Sequence, residues 1–165
     1  MQQYHRILLI GSDIELTQLL LAAFDEHKLA DRLDLVGGCE EALNYLLCCG
    51  AFRGRATGNP SVVLLDRDSL TTDALKILRQ IRADSRLRLL PVVMLSSTDR
   101  VEDVLESYQT GASAYVVRPT DFHQHFEMLM GLGFFWGVIN QPPVSTETPQ
   151  QAVAFESKPL ELAVA

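Results

Sequence analysis

The chain has 165 residues, of which 47% are apolar and 21% charged, and its formal net charge is −7. This length suits one domain with a proper core and is too short for two. The acidic balance argues against a nucleic-acid backbone as a direct partner, and the chain has no run of about 18 uncharged apolar residues that could span a membrane.

Short apolar runs alternate with amphipathic segments along the first 140 residues. In chain order, the patterns predict a strand over 6–10, a helix over 13–29, a strand over 33–38, a helix over 39–52, a strand over 61–66, a helix over 71–84, a strand over 90–96, a helix over 98–111, a strand over 113–117 and a helix over 120–139. Five strands alternating with helices predict a parallel sheet that is covered on both faces.

The composition changes after Asn140. Residues 141–165 are rich in Pro, Ser, Thr and Gln and show little periodicity. Segments of this kind cannot bury enough apolar surface to offset the entropy of ordering. We therefore expect residues 1–140 to form the domain and residues 141–165 to form a flexible tail.

The stretch SVVLLDRDSL, residues 61–70, is a buried strand that ends in two carboxylates. In open parallel sheets, ligands bind beyond the carboxyl ends of the strands, near the point where strand order reverses. The strand ends carry Gly11, Ser12 and Asp13 after the first strand, Asp66 and Asp68 after the third, Ser96 and Ser97 after the fourth, and Arg118 after the fifth. We expect these acids, hydroxyls and a cation to meet at one edge of the sheet.

The same stretches resemble the receiver domain of response regulators, the phosphoaccepting half of two-component systems. The matching segments are RILLI, SVVLLDRDSL, LPVVMLSSTDR and TGASAYVVRPTDF, in an order and spacing that agree over residues 5–130. The resemblance implies a doubly wound, flavodoxin-like α/β fold with strand order 2-1-3-4-5. The segment DFHQHFEMLMGLGFFWGVINQPP is also similar to the C-terminal part of small stand-alone regulators that pair with phytochrome-type kinases.

The resemblance implies a role for each residue at the predicted edge. Asp66 would be the phosphoacceptor, whose carboxylate attacks the phosphorus of a phosphohistidine and becomes an acyl phosphate. Ser96 would hydrogen-bond the new phosphoryl group, and Arg118 stands where a lysine would pair with its oxygens. Tyr115 would be the aromatic residue that swings inward when the Ser96 bond forms. The Arg118–Pro119 peptide would be cis, a form tolerated only before proline.

Two departures from the family pattern bear on the metal site. Gly11 and Ser12 replace the pair of acids expected after the first strand, which leaves Asp66, the backbone carbonyl of Asp68 and a recruited Asp13 as oxygen ligands for Mg²⁺. Arg118 replaces a lysine, and its planar guanidinium can form a bidentate pair with Asp66. A site that has lost acids and kept a cation is expected to bind Mg²⁺ poorly, which would slow phosphoryl transfer by orders of magnitude.

Two signalling hypotheses stay open on these residues. In the first, the chain is a single-domain response regulator in a phosphorelay, and Asp66 accepts a phosphoryl group from a sensor histidine kinase. In the second, it is a degenerate pseudo-receiver that acts as a phosphorylation-independent interaction module. A more remote third hypothesis is a haloacid-dehalogenase-like phosphatase, because LLDRDSLT is close to the DxDx[TV] motif. That motif normally lies on the first strand, whereas here it lies on the third, so we predict a protein that is not an enzyme.

The last predicted helix suggests how the domain contacts partners. It carries more apolar residues than one stripe can bury, namely Phe126, Met128, Met130, Leu132, Phe134, Phe135 and Trp136. This favours a homodimer through the helix, strand and helix over 98–139, and the alternative is that these side chains cover the domain's own core. Cys39, Cys48 and Cys49 form neither a CxxC pair nor an even disulfide framework, which predicts free thiols in a cytoplasmic protein.

Overall fold

A computed structural model describes residues 5–56 and 58–144 of the chain. Its five strands are β1 Ile7–Ile10, β2 Leu33–Val36, β3 Val62–Asp66, β4 Val92–Ser96 and β5 Ala114–Val117. They form one sheet in the order β2-β1-β3-β4-β5, and every neighbouring pair is parallel. The predicted fold class and strand order are confirmed.

Within the described ranges, six α-helices connect and flank the strands. They are α1 Ile14–Asp25, α2 Cys39–Leu46, α3 Arg67–Leu70, α4 Thr72–Ala83, α5 Val101–Thr110 and α6 Phe122–Phe134, and short helical turns cover Ala30–Arg32, Gly50–Phe52 and Phe135–Ile139. The predicted helix over 39–52 is too long, because Cys48 and Gly50 both have positive φ and end it after Leu46. The short helix α3 was not predicted as a separate element.

Two apolar layers hold the helices against the sheet. Successive strand residues face opposite sides, so Leu8 and Ile10 join the layer under α2 and α4, while Ile7 and Leu9 join the layer under α1 and α6. All residues of β1, β3 and β4 are buried. Burial on both faces explains why these strands are continuous apolar runs instead of alternating ones.

The surplus of apolar residues in the last helix is divided between core and surface. Leu129 is fully buried, and Phe126, Met128, Met130, Leu132, Trp136 and Val138 pack partly against the α1 side of the core. Phe122, Phe134, Phe135 and Ile139 stay exposed. The interpretation that these side chains cover the domain's own core therefore applies to the first set, while the homodimer stays a prediction.

The chain after α6 follows the surface without regular structure at residues 141–144. Most of the predicted tail, residues 145–165, lies outside the described residues. In the described ranges, no helix combines the length and apolar character needed to cross a bilayer.

Candidate phosphoryl-acceptor site

Asp66 ends β3 and begins helix α3. Its side chain is 1% exposed, and its Oδ1 accepts a hydrogen bond from the backbone amide of Asp68 at 3.2 Å, which caps α3. The other oxygen, Oδ2, is buried and has no hydrogen-bond partner among the described residues. A buried carboxylate oxygen without a donor is unfavourable. Asp66 therefore keeps an unused capacity to bind or to form a bond.

Asp68 lies at the centre of the hydrogen bonds at this edge. Its Oδ1 accepts from the Ser96 hydroxyl at 2.9 Å, and its Oδ2 accepts from the Ser97 amide at 2.8 Å and from the Arg118 guanidinium. Burial raises the pKa of the Asp68 carboxyl, but the hydrogen bonds from Arg118, Ser96 and Ser97 outweigh it and hold the pKa below its ordinary value. The carboxylate is thus bound as an anion.

The side-chain role of Asp68 is one that the sequence reasoning missed, since it assigned only the backbone of this residue. The signal was present in the DxD spacing. Asp68 lies two residues beyond Asp66, near the hydroxyls and the cation that follow other strands. Because positions 11 and 12 carry no acids to hold a metal ion, these donors are free to bind the Asp68 carboxylate.

The Arg118 guanidinium, 12% exposed, lies among three carboxylates. Nη1 is 3.1 Å from Oδ2 of Asp13, and Nη2 pairs with Asp68 and lies 3.7 Å from Oδ1 of Asp66. Burial lowers the pKa of Arg118, but Asp68, Asp66 and Asp13 together raise it. The predicted bidentate pair with Asp66 is wrong, because Asp68 and Asp13 take the guanidinium donors.

The Arg118–Pro119 peptide is trans, not the predicted cis, in line with the trans preference of about 0.5–1 kcal/mol before proline.

Asp13 follows β1 and caps α1. Its Oδ1 accepts from the Leu16 amide at 3.1 Å, and its Oδ2 accepts from Arg118. Burial raises the pKa of the Asp13 carboxyl, but the Leu16 amide and Arg118 lower it further, so that the net shift is downward. Both oxygens are therefore committed to protein donors, and the prediction of Asp13 as a recruited metal ligand does not fit this arrangement.

Gly11 and Ser12 directly follow the end of β1, and Gly11 lies against Asp66. A Cβ atom on Gly11 would lie 2.7 Å from Cβ of Asp66 and 3.1 Å from its Oδ2. The backbone of β1 therefore lies directly against Asp66 and leaves no space for a larger residue at position 11. The Ser12 amide donates to Oγ of Ser69 at 3.1 Å, which ties this strand end to α3.

The residues present do not fit a Mg²⁺ centre in this arrangement. Among the described residues, no three His, Cys, Asp or Glu side chains are grouped so that they could hold a metal ion. Mg²⁺ prefers near-octahedral oxygen ligands, whereas Asp13 is committed and the Arg118 cation lies 3.7 Å from Asp66. The guanidinium supplies the positive charge that a metal ion would otherwise bring to Asp66.

Tyr115 on β5 is connected to the same edge. Its hydroxyl donates to the backbone carbonyl of Thr98 at 2.8 Å, and its half-buried ring packs against the core on the α2 and α4 side. The Thr98 amide in turn donates to Oγ of Ser96 at 3.3 Å. Tyr115 is thus turned inward, onto the loop that also supplies two of the donors to Asp68.

Arg67, directly after Asp66, anchors helix α5. Its Nη1 donates to the backbone carbonyl of Asp103 at 2.9 Å, and its Nη2 pairs with Oδ1 of Asp103 at 2.8 Å. The Arg67 side chain is only 14% exposed, so this ion pair is better shielded from water than a surface pair. The sequence pattern does not indicate this role for Arg67, since a charged residue beside an acid has no pattern of its own.

Comparisons with known proteins assign the chain to a family, although no family model matches it. The bacteriophytochrome response regulator RtBRR is 38% identical over 93% of this chain and 96% of its own, with a TM-score of 0.65. The bacteriophytochrome response regulator AtBRR is 36% identical over 84% of this chain and 99% of its own, with a TM-score of 0.64. The Mn²⁺-bound form of response regulator Rcp1 shares the fold at 22% identity, with a TM-score of 0.75 over 85% of this chain and 99% of its own.

Curated relatives agree with the structural ones. Response regulator Rcp1 of Synechocystis sp. is 29% identical over 47% of this chain and 52% of its own length. A probable methanogenesis regulatory protein, FilR2 of Methanothrix harundinacea, is 26% identical over 83% of this chain and 86% of its own. With the parallel 2-1-3-4-5 sheet and the strand-end residues, these similarities establish that the chain belongs to the response-regulator receiver domains of two-component signalling and is similar to regulators associated with phytochromes.

Proposed function

We propose that the chain is a single-domain response regulator that accepts a phosphoryl group on Asp66 from a sensor histidine kinase and signals through protein contacts. The observation that carries this proposal is the unpartnered Oδ2 of Asp66, buried at the carboxyl end of the central strand β3. This oxygen is the nucleophile in the proposed reaction. Domain 1–140 would carry this function, with residues 141–165 as an appended tail.

The proposed step is a simple displacement. Oδ2 of Asp66 forms a bond to the phosphorus of a phosphohistidine, the N–P bond breaks, and the kinase imidazole leaves with the electron pair. The product is an acyl phosphate on Asp66. Its new oxygens would need donors, and we propose Arg118, which lies 3.7 Å from Asp66, together with the Ser96 hydroxyl and the Ser97 amide at the end of the neighbouring strand β4.

Phosphorylation of the full chain by acetyl phosphate tests this proposal directly. Intact mass spectrometry should show one added phosphoryl group, removable by hydroxylamine, on the wild type, none on Asp66→Asn, and wild-type labelling on the control Asp73→Asn, whose carboxylate is exposed on α4. Because the Arg118 guanidinium already places a positive charge 3.7 Å from Asp66, we expect labelling to change little when EDTA replaces Mg²⁺. Labelling that survives in Asp66→Asn would refute Asp66 as the acceptor.

A second candidate function is favoured by one specific observation. The donors that an acyl phosphate would need are bound to Asp68 in the unmodified chain. A pseudo-receiver that contacts its partner without phosphorylation would have this arrangement. A wild type that is not labelled by acetyl phosphate or a cognate kinase, yet still binds its partner, would select this function over the first.

The similarity to phytochrome-associated regulators suggests the phosphoryl donor. RtBRR is named as a bacteriophytochrome response regulator, so we propose a phytochrome-type histidine kinase in this role.

We also propose a homodimer through α5, β5 and α6. The exposed apolar residues on these three elements are Val101, Leu105, Tyr108, Val117 and Phe122.

The cysteines bear on the proposed location. All three are free thiols, which is consistent with a reducing cytoplasm.

A further inference from the structure

The carboxylate of Asp68 binds a set of donors that comes from separate parts of the chain. The hydroxyl belongs to Ser96, the last residue of β4, and the amide belongs to Ser97, which follows it. The guanidinium belongs to Arg118, which follows β5. One hydroxyl, one backbone amide and one guanidinium converging on two oxygens form an oxyanion site. The anion in that site is supplied by the chain itself, two residues from the proposed phosphoacceptor.

We propose that Asp68 is a tethered anion that occupies this oxyanion site and competes for it with a phosphoryl group on Asp66. The inference rests on the proposed function for the identity of the competing anion. It goes beyond that function because the Asp68 carboxylate would regulate how readily Asp66 accepts and keeps a phosphoryl group. The phosphoryl group enters only when Asp68 leaves.

The charges at the edge support a competition over simultaneous binding. Arg118 already faces the carboxylates of Asp13, Asp66 and Asp68. His125 is close enough for Arg118 to affect it, and burial together with Arg118 lowers the pKa of His125, so this ring brings no second cation at neutral pH. On Asp66, a phosphoryl group would replace the single negative charge of the carboxylate with a charge of about −1.5 to −2. The edge has no further cation among the described contacts to balance both anions.

Displacement of Asp68 would also reach Tyr115. Asp68 binds both Ser96 and Ser97, the Thr98 amide donates to Oγ of Ser96, and the Thr98 carbonyl accepts from Tyr115. These bonds form one continuous chain from Asp68 to β5. The unmodified protein therefore holds the loop over residues 96–98 and the inward Tyr115 ring in place with its own carboxylate.

Beryllium fluoride, a phosphoryl mimic, provides the test. We would titrate it into ¹⁵N-labelled full chain with and without Mg²⁺, and follow the Ser97 amide resonance. Asp68→Asn keeps the shape of the side chain and removes its charge, so we expect it to bind beryllium fluoride about tenfold more tightly than the wild type, the equivalent of one charged hydrogen bond. Affinity in Asp68→Asn equal to that of the wild type would overturn the proposal.

Asp84→Asn is the matched control. It removes an aspartate paired with an arginine, Arg86, from the end of α4 that is remote from the site. We expect wild-type affinity for beryllium fluoride in this variant. An equal gain of affinity in Asp84→Asn and Asp68→Asn would mean that loss of any carboxylate suffices, and would overturn a specific competition.

A second measurement uses the wild type alone and does not depend on the folding of a variant. The side-chain carboxyl ¹³C resonance of Asp68 should move when beryllium fluoride saturates the site, because the carboxylate loses its three donors. An unchanged Asp68 resonance at saturation would contradict displacement. Failure of the proposed function looks different, since neither wild type nor Asp68→Asn would then be labelled by acetyl phosphate while the difference in beryllium fluoride affinity would persist.

Discussion

At the scale of single residues, the site depends on how close β1 comes to Asp66. Gly11 allows this approach, since a Cβ atom there would lie 2.7 Å from Cβ of Asp66. Distances this short force the neighbouring backbone or side chain to move. The lack of a side chain at position 11 has two effects. It removes a metal ligand, and it allows the buried Oδ2 of Asp66 to face the end of β1.

Replacing Gly11 by alanine should therefore destabilise the domain. We expect Gly11→Ala to lower the free energy of unfolding by about 1–3 kcal/mol, as overpacking does in other cores, measured by urea denaturation. The control is Gly54→Ala, where the added Cβ would meet no atom within 4 Å, so we expect a change of less than about 0.5 kcal/mol. Equal stability of the two variants would contradict the close approach.

Residue identity predicted which groups meet at the edge better than it predicted their pairing. Asp66, Ser96 and Arg118 were chosen because each follows a strand, and in a parallel sheet the strand ends share one edge. The predicted pairing of Arg118 with Asp66 is wrong, because Arg118 pairs with Asp68 and Asp13. The choice among Asp13, Asp66 and Asp68 depends on side-chain directions within a few ångströms, and these follow from helix α3 and the cap of α1, which the sequence pattern did not specify.

At the scale of elements, one partly exposed ionic cluster ties the edge strand β2 to its neighbours. Asp34 on β2 accepts from Arg6, which precedes β1, and from the hydroxyl of Tyr45 on α2. Burial and the hydrogen bond to Asp34 raise the pKa of Tyr45 to about 12 from an ordinary value of 10.0. The hydroxyl is therefore a donor that the folded state keeps protonated.

This cluster predicts a specific loss of stability at high pH. A folded-state pKa above the unfolded value means that the contribution of Tyr45 is complete below pH 10 and is lost as pH rises through about 12. We expect the wild type to lose about 2 kcal/mol of unfolding free energy over this range from Tyr45. Tyr45→Phe should lack that part of the decline, while Tyr108→Phe, half-exposed on α5, should keep it. Identical pH profiles for wild type and Tyr45→Phe would contradict the assignment.

Strands were easier to predict than helix ends. Each predicted strand contains its observed counterpart. For β1, β3 and β4 the reason is burial on both faces, which makes these strands continuous apolar runs. The predicted helices were longer than α1 and α2, since Lys28 and Cys48 adopt positive φ without being glycines. Propensity alone does not indicate such turns.

At the scale of the whole molecule, one side of the domain combines exposed apolar residues from three elements. On α5, Val101 and Leu105 are 75% and 53% exposed, and Phe122 on α6 is 71% exposed. Val117 on β5, the edge strand between these helices in the chain, is 39% exposed. Arg67 anchors α5 through Asp103, so this face is physically connected to the residue that follows the proposed phosphoacceptor.

A charge placed on this face should prevent the proposed dimer. A two-fold interface uses the same patch on both copies, so that one substitution introduces two like charges into the contact. We expect size-exclusion chromatography with light scattering to give a dimer mass for the wild type and a monomer mass for Leu105→Glu at the same concentration. The control is Leu89→Glu, which alters a leucine that is 67% exposed between α4 and β4, and it should remain a dimer. A wild type that is monomeric, or a Leu105→Glu variant that stays dimeric while Leu89→Glu dissociates, would show that α5, β5 and α6 do not form the interface.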